Sequence, residues 1–133
     1  MTSSTESVSE AYSDMVLDHF EHPRNVGEMD DATIIGKSDN PSSGASLFLY
    51  FRLGDGEVIK AVRFKAHGCT ATIAAGSVAT ELLPGRCLAP RALSTDELAV
   101  ALDGLPPGRK HAYRLVTDAI ESAALSRSVQ QPS

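Results

Sequence analysis

Few side chains in this chain can hold a metal or attack an electrophile: two cysteines, Cys69 and Cys87, and four histidines, His19, His22, His67 and His111. Cys69 has the most informative setting. It follows the run Val58 to Ala66 and the pair His67-Gly68, and it precedes Thr70 to Leu83, an Ala- and Thr-rich segment stopped by Pro84-Gly85. A cysteine between a strand and a helix meets the first unpaired amides of that helix, and their dipoles favour a thiolate. His67 adds positive charge nearby when protonated. In that state Cys69 is a metal ligand or a nucleophile with His67 or His111 as its base. The same position also suits a small apolar side chain filling a tight helix–sheet contact. Spacing alone leaves both readings open.

The remaining candidates are weaker one by one. Cys87 follows Gly85-Arg86 and reads as inert. A disulfide to Cys69 would have to span a helix of about 13 residues, roughly 20 Å, whereas bridged Cα atoms sit about 5–6 Å apart. His19 falls on an apolar helical stripe and reads as a hydrogen-bonded core residue. His22 precedes Pro23 in a turn, and His111 stands after the Pro106-Pro107 break, where a side chain can face a neighbouring site. The sequence carries no zinc-protease helix, phosphate-binding loop or nucleophile elbow.

The elements that must position these residues follow from periodicity. Tyr12, Met15, Val16, His19 and Phe20 recur at helical spacing and predict an amphipathic helix over Ala11 to Glu21, ended by Pro23. Ala32 to Gly36, Ser46 to Leu53 and Val58 to Ala66 read as strands. Asp39 to Gly44 reads as an exposed loop, and Gly54-Asp55-Gly56-Glu57 as a hairpin connection. In the third strand Val58, Lys60, Val62, Phe64 and Ala66 share one face, and Ile59, Ala61, Arg63 and Lys65 the half-wet other. Ser94-Thr95-Asp96-Glu97 has the form of a capping box and opens a short helix to Leu102. Apolar residues from Leu115 to Ala124 predict a last amphipathic helix over Ala112 to Ser126. The predicted fold is α+β, a three-stranded antiparallel sheet with one face on helices. Residues 1–11 read as a disordered tail, 12–126 as a single domain and 127–133 as a frayed C-terminal tail.

Composition narrows the class of function. With 133 residues, a net charge of −5 and 42% hydrophobic residues, one domain burying roughly two-thirds of its unfolded surface is expected. The acidic balance argues against non-specific nucleic-acid binding. No window approaches a membrane span, and the start lacks a basic-then-apolar signal pattern, so a cytoplasmic location is the expectation.

Three motifs, in order, carry a resemblance. Tyr12-Ser13-Asp14-Met15-Val16-Leu17-Asp18-His19-Phe20-Glu21-His22-Pro23-Arg24-Asn25-Val26-Gly27 resembles the opening of NifU/IscU-type iron–sulfur scaffold proteins. Phe64-Lys65-Ala66-His67-Gly68-Cys69-Thr70-Ala71-Thr72-Ile73-Ala74-Ala75-Gly76-Ser77 is similar to the segment around that family's second ligand cysteine. Leu105-Pro106-Pro107-Gly108-Arg109-Lys110-His111 is similar to the proline motif that chaperones recognise in IscU-type members. The likeness spans Tyr12 to Leu125.

The resemblance implies an IscU-like fold and a non-enzymatic scaffold that assembles a [2Fe–2S] cluster on three cysteines and one further ligand, with sulfur from a cysteine desulfurase. Carried over residue by residue, it keeps Cys69 and the histidine beside the cluster, His111. Ser43 stands where the first cysteine is expected, Ala45 where an aspartate is, and Ala112 where the third cysteine is. Clusters are held mainly by thiolates, and a serine hydroxyl is a harder, poorly deprotonated donor. Cys69 and His111, with His67 as a weak third ligand, would give iron or zinc an open site short of the usual four ligands. Three functions follow. The chain binds iron or a cluster with ligands completed from elsewhere; or it binds no cofactor and docks on a cysteine desulfurase or chaperone; or it accepts sulfur on Cys69.

Overall fold

The computed structural model describes residues 12–130, so the expected tail over 1–11 lies outside the described residues, as does Ala11 of the first predicted helix. Helix α1 is Asp14–Glu21. Ser13 caps it, its hydroxyl accepting the Val16 amide at 3.1 Å and donating to the Leu102 carbonyl. Those two bonds fix the start of the helix and tie it to a distant segment.

Strands β1 (Ile34–Asn40), β2 (Ala45–Leu53) and β3 (Ile59–His67) form an antiparallel sheet in the order β1-β2-β3. The predicted first strand stopped at Gly36, but β1 runs on to Asn40. Its inward positions are Ile34, Gly36 and Ser38. Ser38 is tolerated inside because its hydroxyl donates to the Leu115 carbonyl at 2.6 Å. Asp39 and Asn40 therefore belong to the strand rather than to the loop expected over Asp39 to Gly44. The connection shrinks to Pro41–Gly44, closed by the Gly44 amide on the Asn40 carbonyl at 2.8 Å.

The face assignment for β3 also needs correction. Val62 and Phe64 point inward as expected, yet Ile59 is buried and Lys60 exposed, the reverse of the expected pattern. Arg52 pairs with Ala61 and Leu53 with Ile59, so Lys60 is the extra residue of a β-bulge that shifts the alternation by one. The β2–β3 connection at Gly54–Glu57 is a short 3-10 turn in which Gly56 has φ +70° and Glu57 φ +62°.

Helix α2 (Thr70–Leu82) lies at the centre, with nine of its residues from Ala71 to Thr80 buried. Its small side chains permit the close approach: a Cβ added at Gly76 would sit 2.6 Å from a Phe64 ring carbon. Helix α3 (Thr95–Leu102) starts in the predicted capping box, with Ser94 and Glu97 bonded reciprocally at 3.1 and 3.0 Å. Helix α4 (His111–Gln130) crosses β1 and extends beyond Ser126, where fraying was expected. Arg127 holds this last turn through a two-pronged ion pair to Glu57, at 2.8 and 3.2 Å. Leu47, Leu49, Phe51 and Phe64 from the sheet meet Ala74, Ala75, Val116 and Ile120 from the helices in one core.

Candidate thiolate site

The site residues gather where β3 ends and α2 begins. Gly68, with φ +155°, turns the chain, and Cys69 becomes the N-cap residue of α2. Cys69 is half-buried, with its Sγ 3.7 Å from the Thr72 hydroxyl. Burial alone would push the thiol pKa up. The Thr72 amide and hydroxyl, the Ala71 amide and the Arg109 guanidinium outweigh it, and the thiol lies below its ordinary value. A lowered pKa favours the thiolate form of this side chain.

The positive charge beside Cys69 comes from Arg109, in the short turn Pro107–Arg109 before α4, and not from His67. His67 ends β3 opposite Ser46 and is exposed, one step out of phase with the inward Val62 and Phe64. Tyr12 completes the neighbourhood. Burial and the nearby Cys69 raise its phenol pKa, against the field of Arg109. Sequence reasoning singled out neither Tyr12, Thr72 nor Arg109. Thr72 had a legible signal, since it stands three residues into the helix that Cys69 caps, the spacing at which a side chain can reach back to the cap.

Of the other expected positions, Ala45 lies beside the turn that leads into α2. Ala45 is 2% exposed and touches Gly68, whose added Cβ would lie 3.0 Å from the Ala45 Cβ. Ala112 is fully buried in the core. Ser43 is exposed in the β1–β2 turn, where its hydroxyl accepts the Ala45 amide at 3.2 Å. His111 lines a cavity of about 270 Å³ with Asp39, Pro41 and Asp118, and its Nε2 is buried without a hydrogen-bond partner among the described residues. Among those residues no three His, Cys, Asp or Glu side chains are placed to hold a metal ion. His67, expected as a weak third ligand beside Cys69 and His111, is exposed at the end of β3. Leu105 is buried, Pro106 half-buried and Pro107 exposed, so only part of the proline motif is accessible. Both cysteines are free, and Cys87 is exposed.

The fold and site together define an α+β domain with a half-buried cysteine of lowered thiol pKa at a strand–helix junction. The family is given by comparison: the NifU-like N terminal domain model matches residues 11–131, and the chain belongs to that family. It is 39% identical over 113 residues to iron-sulfur cluster assembly scaffold protein IscU 1 of Archaeoglobus fulgidus, covering 84% of this chain and 73% of that one. To the scaffold protein IscU of Escherichia coli it is 38% identical over 117 residues, covering 85% and 91%. The N-terminal part of a nitrogen-fixing NifU-like protein from Brucella abortus superposes with a TM-score of 0.71 at 14% identity, covering 95% of this chain and 99% of that one, which bears on the fold alone. No helix among the described residues is long and apolar enough to cross a membrane.

Proposed function

We propose that this chain acts in iron–sulfur cluster assembly as a scaffold-type protein that supplies one thiolate, Cys69, and relies on ligands from outside the chain. The observation that carries the proposal is the setting of Cys69: at the N-cap of α2, hydrogen-bonded to Thr72 and faced by Arg109. Relatives named as scaffolds at 35–39% identity supply the class of process. The iron or cluster is cargo here. One thiolate and one imidazole leave a cluster's four-ligand requirement unmet, so the remaining ligands come from a desulfurase, a recipient protein or a small thiol.

The test is anaerobic reconstitution with iron and sulfide, with and without glutathione. The expected result is weak or absent charge-transfer absorption for the chain alone, and bands that appear with glutathione and vanish in Cys69→Ser. Bands of equal intensity without glutathione, or bands retained by Cys69→Ser, overturn the reading.

A second reading has its own support. Ala45 and Ala112, in the expected aspartate and cysteine positions, are packed into the core and offer no donor. In that reading the chain docks on a cysteine desulfurase or chaperone without cargo. Capture of a desulfurase by the wild type and by Cys69→Ser alike, with no absorption bands under either condition, favours it.

A further inference from the structure

The free edge of the sheet carries a second candidate site, at the other end of α2 from Cys69. Strand β3 is an outer strand, and its exposed edge is clamped at two points. The Phe64 amide donates to the Asn25 carbonyl at 3.0 Å, and the Phe64 carbonyl accepts from the Gly27 amide at 2.8 Å. Nearer the start of the strand, the Ile59 amide donates to the Arg86 carbonyl and its carbonyl accepts the Gly85 amide, both at 2.8 Å. Between these clamps the N–H and C=O of Val62 point outward, because they lie in phase with those of Phe64. Among the described residues neither is bonded along that edge. Asn25, with φ +57°, is the reason. A segment continuing beside β3 would cover Val62, but the left-handed turn at Asn25 swings it away, and the Arg24 amide goes to the Ser77 hydroxyl instead, at 2.9 Å.

The gap opens into a cavity of about 520 Å³, lined in part by Val62, Arg52, Lys60, Arg63, Asp30 and Asp31. Arg52 is 3.5 Å from Asp31. Arg63 donates to the Glu28 carbonyl at 3.2 Å. Lys60, Arg63 and Asp30 have no oppositely charged partner within ion-pair distance among the described residues. The β-bulge at Lys60 has a role here, since it takes that side chain out of the regular alternation of β3 and sets it on the wall of the cavity.

We propose that this cavity binds an acidic α-amino acid, either free or as the C-terminal residue of a peptide. A single residue bonded to Val62 in the manner of a strand fits between the two clamps, whereas a longer strand would meet the Asn25 and Gly85 segments. The ligand's N–H or ammonium faces the Val62 carbonyl and Asp30. Its carboxylate faces the Val62 amide, Lys60 and Arg63. The excess of cations over carboxylates on the wall selects an acidic side chain. Helix α2 has 13 residues, about 20 Å of separation at 1.5 Å per residue, so this site stands apart from the thiolate.

Amide chemical shifts of the ¹⁵N-labelled full chain test the proposal, with L-glutamate as the free amino acid, N-acetyl-L-glutamate as the peptide-terminus mimic and glutarate as a dicarboxylate lacking the N–H. Saturable movement of the Val62 amide with L-glutamate alone identifies the free amino acid as the ligand. Movement with N-acetyl-L-glutamate, alone or as well, identifies the peptide terminus as a source. The double variant Lys60→Gln/Arg63→Gln is expected to bind at least tenfold more weakly with its other amides unmoved. Equal binding of glutarate, unchanged affinity in the folded double variant, or no saturation by about 10 mM, well above a millimolar Kd, overturns it.

Discussion

The Nδ1 of His19 and the hydroxyl of Ser77 lie 2.7 Å apart in the buried seam between α1 and α2. Ser77 also accepts the Arg24 amide at 2.9 Å. With the ring neutral, the Ser77 hydroxyl can donate to Nδ1 while Nε2–H faces Glu81 at 3.6 Å. Burial, reinforced by Arg24, holds the His19 pKa below its ordinary value despite Glu81 and Asp18.

That depression makes stability depend on pH. An unfolded histidine titrates near ~6.5, so below that value the unfolded chain takes up a proton that folded His19 resists. The contribution is complete above the unfolded pKa and is lost as pH falls through the folded one. Urea midpoints measured from about pH 7.5 to about pH 5.5 are expected to fall in the wild type and to fall less steeply in His19→Gln. Parallel slopes would assign the effect to other groups.

Reactivity at Cys69 reports its electrostatics. Alkylation rate against pH is expected to give an apparent thiol pKa below the unperturbed ~8.5. Arg109→Gln is expected to move it upward by removing a cation, and Thr72→Val upward again by removing the hydroxyl at 3.7 Å. His67→Gln is expected to leave it unmoved. A shift in the last variant and none in Arg109→Gln would reverse the assignment of the charge.

Gly36 sits where β1 meets α4. A Cβ added there would lie 2.0 Å from the Ala119 carbonyl oxygen and 2.9 Å from the Ala123 Cβ. Gly36→Ala must push strand and helix apart, at a cost of about 1–3 kcal/mol or more. Thermal unfolding monitored by circular dichroism should show the loss. An unchanged Tm would mean that α4 shifts freely.

Ala45 tests whether the site can regain the aspartate that the resemblance led us to expect. The position is 2% exposed and packed against Gly68. Ala45→Asp places a carboxyl where water is excluded, so it is expected to destabilise the fold by about 1–3 kcal/mol or more. Ala45→Asn, uncharged and of similar size, should cost less at pH 7. Equal denaturation midpoints for the two variants would show that water reaches the position.

The order and kind of the elements were legible because they rest on local chemistry. The period of α1, the Ser94–Glu97 capping box and the Pro84-Gly85 stop are written in adjacent residues, and each element formed close to its expected place. Misjudged features depended on distant partners. β1 extends through Ser38 because Leu115 accepts its hydroxyl, and α4 extends to Gln130 with Arg127 bound to Glu57. The Lys60 bulge arises from pairing with β2, and no reading of β3 alone contains it.

By itself the sequence determined that Cys69 stands at a strand–helix junction and which family motifs surround it, and the resemblance set the expectations for Ser43, Ala45 and Ala112. Residue identity and short spacing suffice for that. Only the tertiary structure decided that Arg109, not His67, brings positive charge to the thiol, because a sheet's alternation turns His67 outward while a remote turn delivers Arg109. It also decided that Val62 keeps an open edge beside Lys60 and Arg63, since which backbone groups go unpaired depends on where neighbouring segments turn away.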